Sequence, residues 1–196
     1  MNFIAPDSET RTKVSAAVVG TQDELAQVFA IRSAVYIAEQ KCPYEEEFDG
    51  NDFCATHILG RVDGEPAGAM RVRWFAGFAK FERSCVLADH RKTGLAATMM
   101  NFCIDLARKK SYRLAYAHSQ KRLVHYWEKF GFKQIRPDEV LVFSDHEYVE
   151  VLCEIEPHPE AITLEGDPYI VLRPEGSWDE PGVLDGSAKR AATNPH

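Results

Sequence analysis

The stretch Arg91-Lys92-Thr93-Gly94-Leu95-Ala96 constrains this chain more than any other. It joins a strand-like run ending at Leu87 to a helix-like run from Leu95 to Lys110. Leu95, Met99, Phe102, Cys103 and Leu106 recur at helical spacing, and Arg108-Lys109-Lys110 close the run where cations suit the helix dipole. Helix openings usually attract Asp or Glu, because the first turn carries unpaired N–H groups and partial positive charge. Residues 91–98 contain no carboxylate and two cations. Such a turn suits an anion: Gly94 and Ala96 let a ligand approach the backbone, and Arg91 and Lys92 add charge where a pyrophosphate would sit.

The surrounding pattern predicts a helix-covered mixed sheet, in the α/β (α+β) class. Val14 to Val19 has strand length, and Thr21-Gln22-Asp23-Glu24 fits a capping box opening a helix that runs to about Glu39. Its apolar stripe is Leu25, Val28, Phe29, Val35 and Tyr36, and Arg32 falls inside that stripe. Burial without a carboxylate would be costly, so Arg32 is expected to pair with Glu47, Asp49 or Asp52; the alternative packs its stem and sends its head to water. Three strands follow, Cys54 to Val62, Pro66 to Phe75 and Ala79 to Leu87, with Asp63-Gly64 and Ala76-Gly77 as turns. Tyr112 to His118 reads as a strand, Lys121 to Phe130 as a helix, and Phe132 to Arg136 and Tyr148 to Ile155 as two last strands.

Around the turn, Ala79 to Leu87 is similar to the fourth strand of the GNAT acyltransferases, with Val86 five residues before Arg91. The turn matches their R/Q-x-x-G-x-G/A loop. Tyr126-Trp127-Glu128-Lys129-Phe130-Gly131-Phe132 resembles their aromatic-x-K-x-G-F signature, and Arg32, Tyr36, Glu39-Gln40, Glu47-Phe48-Asp49, Asp52 and Ala55-Thr56-His57 resemble the opening third of one subgroup. The resemblance covers about Val14 to Ile155. It implies the GNAT fold, a central mixed and mostly antiparallel sheet with helices on both faces, and acetyl transfer from acetyl-CoA to a primary amine of a small molecule or peptide, without a metal. It also implies that the pantetheine arm pairs with the backbone of Cys85, Val86 and Leu87, and that Arg91, Lys92, Thr93, Gly94, Leu95 and Ala96 hold the pyrophosphate.

Acetyl transfer to an amine further requires a base and a proton for the leaving thiolate. Strand alternation puts Glu82 on one face with Lys80, Ser84 and Val86, as the first candidate base; a salt bridge to Arg71, Arg73 or Arg83 is the structural alternative. His118, whose ordinary pKa lies near neutrality, is the second candidate. For the acid, many GNAT enzymes carry a tyrosine where this chain has Trp127, which cannot supply a proton; either the adjacent Tyr126 takes the role, or water protonates the thiolate, or the reaction differs.

A net charge of -7 argues against a nucleic-acid partner, and Glu45-Glu46-Glu47 with Asp49 and Asp52 either draws in a protonated amine or forms a solvated acidic loop. Cys42, Cys54, Cys85, Cys103 and Cys153, odd in number and without C-x-x-C, read as reduced, mostly buried thiols. No apolar run approaches the span of a bilayer, and Met1 to Asp7 turns polar early, so no membrane association and a cytoplasmic protein are expected.

Residues 1–156 read as the acyltransferase domain and 157–196 as an extension holding six of ten prolines. Within the extension, Tyr169 to Arg173 is strand-like, and that island and Trp178 are placed to dock on the domain, add an edge strand or reach a second subunit as a homodimer. Asp185 to His196 reads as a loose terminus. Two alternatives remain open: an N-acyltransferase fed by acyl carrier protein, of the acyl-homoserine-lactone or N-acyl amino acid synthase kind, and a non-catalytic acyl-CoA-binding module.

Overall fold

The structure, a computed structural model, describes residues 12–193; the polar opening Met1 to Asp7 and the last three residues lie outside them. One sheet organises the chain. Its strands are β1 (Val14–Val18), β2 (Ala55–Val62), β3 (Glu65–Trp74), β4 (Ala79–Val86), β5 (Leu114–Gln120), β6 (Lys133–Gln134), β7 (Leu141–Phe143) and β8 (His146–Glu154). The order is β1-β2-β3-β4-β5-β8-β6, with β7 also on β8. All neighbours are antiparallel except β4 and β5.

Helix α3 (Leu95–Lys109) covers one face of the sheet, where Leu95, Met99, Met100, Cys103 and Leu106 join the main core with Phe81, Ala115, Ala117, Val149 and Val151. Close approach is possible because Gly60 and Gly68 face each other across β2 and β3. A Cβ on either would sit within 3 Å of the Met99 side chain. Helix α1 (Gln22–Arg32) covers the other face over β2–β4, with Val28 and Ile31 against Leu59, Ala69 and Cys85. Its cap forms as the sequence predicts, the Thr21 hydroxyl accepting from the Glu24 N–H at 3.2 Å.

Several boundaries differ from the sequence reading, each for a local reason. The first helix does not run on as α-helix to Glu39: Ser33–Glu39 is a π-helical segment, in which the Gln40 N–H bonds back to Val35. A four-residue helix α2 (Tyr44–Glu47) follows. The helix expected over Lys121 to Phe130 divides into a 3₁₀ turn, Lys121–Leu123, and α4 (Val124–Glu128). The strand expected over Phe132 to Arg136 shrinks to the two residues of β6, and a β7–β8 hairpin appears in its place, turning at Ser144 and Asp145, both at positive φ.

The 157–193 segment runs along the C-terminal end of α3. Its expected strand at Tyr169 to Arg173 is instead a 3₁₀ turn, Ile170–Leu172, bracketed by Pro168 and Pro174. Trp178 is the anchor, buried within the main core. The Lys110 ammonium lies 4.3 Å from the Trp74 ring and 5.9 Å from that of Trp178, and binds Glu175 at 2.7 Å. Lys109 binds Asp179 at 2.9 Å. Gly176 packs directly on Val18. Thus the segment braces the end of α3 opposite Gly94, a helix length of about 20 Å away.

Trp178→Ala should lower stability by about 3 kcal/mol, the usual cost of deleting a buried aromatic. Chemical denaturation checks this; unchanged stability would show that the segment is not packed as described.

Candidate active site

Past Phe81, strand β4 leaves its partner. The parallel pairing with β5 covers Ala79↔Ala115, Lys80↔Tyr116 and Phe81↔Ala117 and goes no further. A bulge in β4 coincides with the parting: Arg71 pairs with Glu82 but Ala69 pairs with Cys85, so β4 spends three steps where β3 spends two. Arg83 sits in the bulge at φ 53°. The Tyr36 hydroxyl pins it by donating to the Ser84 carbonyl at 2.9 Å.

The bulge corrects the expected alternation. Phe81 and Val86 belong to the α3 face, whereas Cys85 belongs to the α1 face. Val86 therefore lies on the face opposite Glu82, not beside it. The cleft so opened has a volume of about 390 Å³. Its walls include Tyr36, Glu82, Ser84, His118, Gln120, Tyr126 and Tyr148.

Of the acidic stretch, Glu47, Asp49 and Asp52 are tied into an ion-pair network, while Glu45 and Glu46 stay exposed. Arg32 is fully buried and binds Glu47 at 2.5 Å and Asp52 at 2.6 Å, with Phe29 and Phe48 rings at 5.4 and 5.2 Å. Arg71, also fully buried, binds Asp49 at 2.8 Å, Asp52 at 3.0 Å and Glu82 at 2.8 Å. Arg83 binds Glu47 at 2.9 Å, and Lys80 binds Glu82 at 2.7 Å. Glu47, Asp49, Asp52 and Glu82 thus face Arg32, Arg71, Arg83 and Lys80. The network is balanced in charge and fixes the 47–52 loop against β3 and β4.

Glu82 is consequently held as a carboxylate. Burial pushes its pKa up, but the Arg71 charge and the Lys80 hydrogen bond outweigh it, and the net shift is downward. His118 projects from β5 on the same face as Lys80, away from Ala117 in the core. Burial and the Lys80 charge lower its pKa, so it is neutral at neutral pH. Tyr126 approaches the cleft from α4 on the α3 side, packed on the main core. Its buried hydroxyl has no hydrogen-bond partner among the described residues, and burial pushes its pKa up to about 12. Trp127 is committed to the core, edge-on to Phe132 at 4.9 Å. The Gln120 side-chain oxygen is a second unpartnered buried atom lining this cleft. Both residues line the cleft, but these two atoms are themselves shut off from its open space, so a small rotation of either side chain would be needed to present them to it.

Of Cys85, Val86 and Leu87, only Val86 turns its backbone polar groups away from β3. The Leu87 N–H donates to the Ala67 carbonyl at 2.9 Å, which makes Val86↔Gly68 a non-hydrogen-bonded pair. The Val86 carbonyl accepts from Arg91 Nε at 3.1 Å. Burial pushes the Cys85 thiol up to about 12, which removes it as a nucleophile. Beyond β4 and a 3₁₀ turn, Ala88–His90, Gly94 caps α3 at φ 89°, and a Cβ there would meet nothing within 4 Å. The first turn of α3 carries no acidic residue. Lys92 is exposed beside it, and Arg91 pairs with Glu39 from the π-helical segment. These residues fit a pyrophosphate: an open glycine turn, the N-terminus of a 15-residue helix, Lys92, and Arg91, which would exchange Glu39 for the phosphate.

Among the described residues no three His, Cys, Asp or Glu side chains converge as a metal site would require, and no helix is long and apolar enough to cross a membrane. All five cysteines are free thiols, only Cys54 being exposed.

The pattern described as the Acetyltransferase (GNAT) family matches residues 25–132, more than half of the chain, and the chain belongs to that family. It is 29% identical over 128 residues to a Bacillus subtilis protein named as the uncharacterized N-acetyltransferase YjcF, covering 65% of this chain and 91% of that protein. An acyl-CoA N-acyltransferase from Pseudomonas aeruginosa shares the fold with a TM-score of 0.63 at 23% identity, over 72% of this chain and 99% of that one. A GNAT family acetyltransferase from Elizabethkingia anophelis, solved with acetyl-CoA bound, aligns with a TM-score of 0.53 at 13% identity, over 75% and 100%. The protein is therefore an N-acyltransferase of a family that uses acetyl-CoA.

Arg32→Ala should cost about 3–5 kcal/mol, because it strands Glu47 in the interior. Acid should unfold the protein in a defined direction. Asp49, Asp52 and Glu82 are all held below their ordinary range, so the unfolded chain binds more protons and their stabilisation is present above the unfolded pKa near 4. It is lost as pH falls through their folded values, while Glu47, raised by burial, offsets part of it. Denaturation at several pH values between about 7 and 3 checks this; flat stability down to the lower limit would contradict it.

Proposed function

We propose that this enzyme moves an acetyl group from acetyl-CoA to the primary amine of a small molecule or peptide. The observation that carries the reading is the cleft between β4 and β5. It is lined by a neutral histidine from β5 and by Tyr126, whose hydroxyl has no partner among the described residues, and β4 leads on from it to the carboxylate-free turn that opens α3. Arg91, Lys92 and the N–H groups around Gly94, Leu95 and Ala96 would hold the pyrophosphate, with Thr93 shaping the turn through its 2.7 Å bond to the His90 carbonyl. The Val86 N–H, turned away from β3, would pair with the pantetheine arm or meet the developing oxyanion, while Cys85 and Leu87 stay bonded toward β3. Acetyl-CoA supplies the thioester that makes the acyl group transferable.

His118 would take the proton of the incoming amine. Glu82 was the first candidate from sequence, but its bonds to Arg71 and Lys80 suit it better to anchoring Lys80 near His118. Tyr126 would give its proton to the departing sulfur: burial keeps the hydroxyl protonated, though it also makes it a weaker donor, and no other partner among the described residues competes for it. Of the acidic run, Arg32, Arg71 and Arg83 already neutralise Glu47, Asp49 and Asp52, which leaves Glu46, on the cleft wall, as the carboxylate that would draw in a protonated amine. The shape of the acceptor side, walled by Tyr36, Phe143 and Tyr148, would select the amine.

Free-thiol release from acetyl-CoA with a panel of amines tests the reading; tight acetyl-CoA binding with no release for any amine would contradict it. With an amine in hand, Tyr126→Phe should lower kcat about 100-fold with little change in KM for acetyl-CoA. Because His118 must be unprotonated to act and its pKa is lowered, kcat/KM should be flat through neutral pH and fall only below about 6.5. Arg91→Ala should weaken acetyl-CoA binding about 10-fold by calorimetry.

A further inference from the structure

We propose that Glu150, Tyr116 and His118 form a directed hydrogen-bond relay that locks His118 as its Nε2–H tautomer, leaving the Nδ1 lone pair toward the cleft. Tyr116 and Glu150 are then positioning residues for the base, and Arg136 fixes Glu150. The inference deepens the proposed function and rests on its reading of His118 as the base.

The direction of the relay follows from counting hydrogens. Tyr116 and His118 are two residues apart on β5 and share a face, and Glu150 stands opposite His118 on β8. The Tyr116 hydroxyl touches both neighbours, His118 Nε2 at 2.8 Å and a Glu150 carboxylate oxygen. A hydroxyl has one hydrogen, and an ionised carboxylate can only accept. Glu150 is ionised: the bidentate hydrogen bonds of Arg136, then that of Tyr116, bring its pKa down to about 2. The hydroxyl hydrogen therefore belongs to Glu150. The remaining lone pair of Tyr116 can meet His118 Nε2 only if that nitrogen carries its hydrogen. In the reverse arrangement two bare oxygens would face each other at hydrogen-bond distance. With one hydrogen on a neutral ring, Nδ1 is left as the acceptor.

Nδ1 has no hydrogen-bond partner among the described residues, and it is not among the buried unpartnered atoms, so the cleft can reach it. The Phe143 ring packs edge-on to the His118 ring at 5.9 Å, and that of Tyr116 at 5.2 Å, holding its plane. The charged groups around the ring are Lys80 and Glu82 from β4, Glu150 from β8 and, through Glu150, Arg136. Two cations balance two anions around the neutral ring, and Glu150 and Glu82 oppose the Lys80 charge when the ring takes up a proton. In the step itself, the amine N–H bond breaks and an Nδ1–H bond forms. The Nε2–H and Tyr116 O–H bonds stay intact, and Glu150 supports the imidazolium across Tyr116.

Nitrogen-15 correlation spectra of the histidine-labelled full chain test the relay directly at neutral pH, with His118 assigned by its loss in His118→Asn. The expected result is an Nε2–H tautomer in the unsubstituted protein. Tyr116→Phe and Glu150→Gln should each move the ring toward a mixture of tautomers or to Nδ1–H. Both should also lower kcat for acetyl transfer about 10-fold while leaving acetyl-CoA affinity unchanged. An Nδ1–H tautomer in the unsubstituted protein, or an Nε2–H tautomer that survives both substitutions, would overturn the relay. The spectra need neither acetyl-CoA nor an amine. Failure of acetyl-CoA to bind would strike the proposed function and leave the tautomer result standing, and the reverse outcome would strike the relay alone.

Discussion

The parting of β4 from β5 is the constraint on which the rest of the structure depends. Parallel neighbours that stay paired leave no room between them, and here three residue pairs hold the strands together before they diverge. The divergence is enforced from the β3 side. A bulge at Arg83 turns β4, Arg83 reaches back to Glu47, and Tyr36 captures the Ser84 carbonyl. Unpaired backbone on a buried strand would ordinarily be costly; some of it is taken up by Tyr36 and Arg91, and the Val86 N–H is turned away from β3.

The charge network serves the same end. Arg32 and Arg71 lie inside the fold, where an unpaired guanidinium would be prohibitive, so the 47–52 loop must close over them. That closure places Glu47 beside the bulge and Asp49 and Asp52 against β3. The Ser144 turn of the β7–β8 hairpin is tied to Glu46 at 2.6 Å, so the same loop also borders the acceptor side of the cleft. Glu47, Asp49 and Asp52, which read in sequence as part of a lure for cations, are thereby structural elements.

Much of this was legible in the sequence because it depends on local chemistry. The carboxylate-free turn at 91–98, the Asp63-Gly64 hairpin and the stripe of α3 each follow from what their residues can do alone. Arg32 in an apolar stripe correctly announced an internal ion pair, and Tyr126 was visible as the neighbour of a tryptophan that cannot donate a proton. What escaped was set by tertiary geometry. Nothing in Glu82-Arg83-Ser84 signals a bulge, since arginine at positive φ has no compositional mark, and strict alternation then put Val86 on the wrong face. The π-helical turn at Ser33–Glu39 and the pairing of Arg71 with three carboxylates are likewise products of packing. Glu150 and Tyr116 went unnoticed because β5 and β8 meet only in the folded sheet.

Backbone amide spectra recorded during an acetyl-CoA titration test the account most directly. The predicted result is saturable binding with the largest shifts at the Val86, Gly94, Leu95 and Ala96 amides. Saturation with those amides unmoved, or no binding at all, would contradict it.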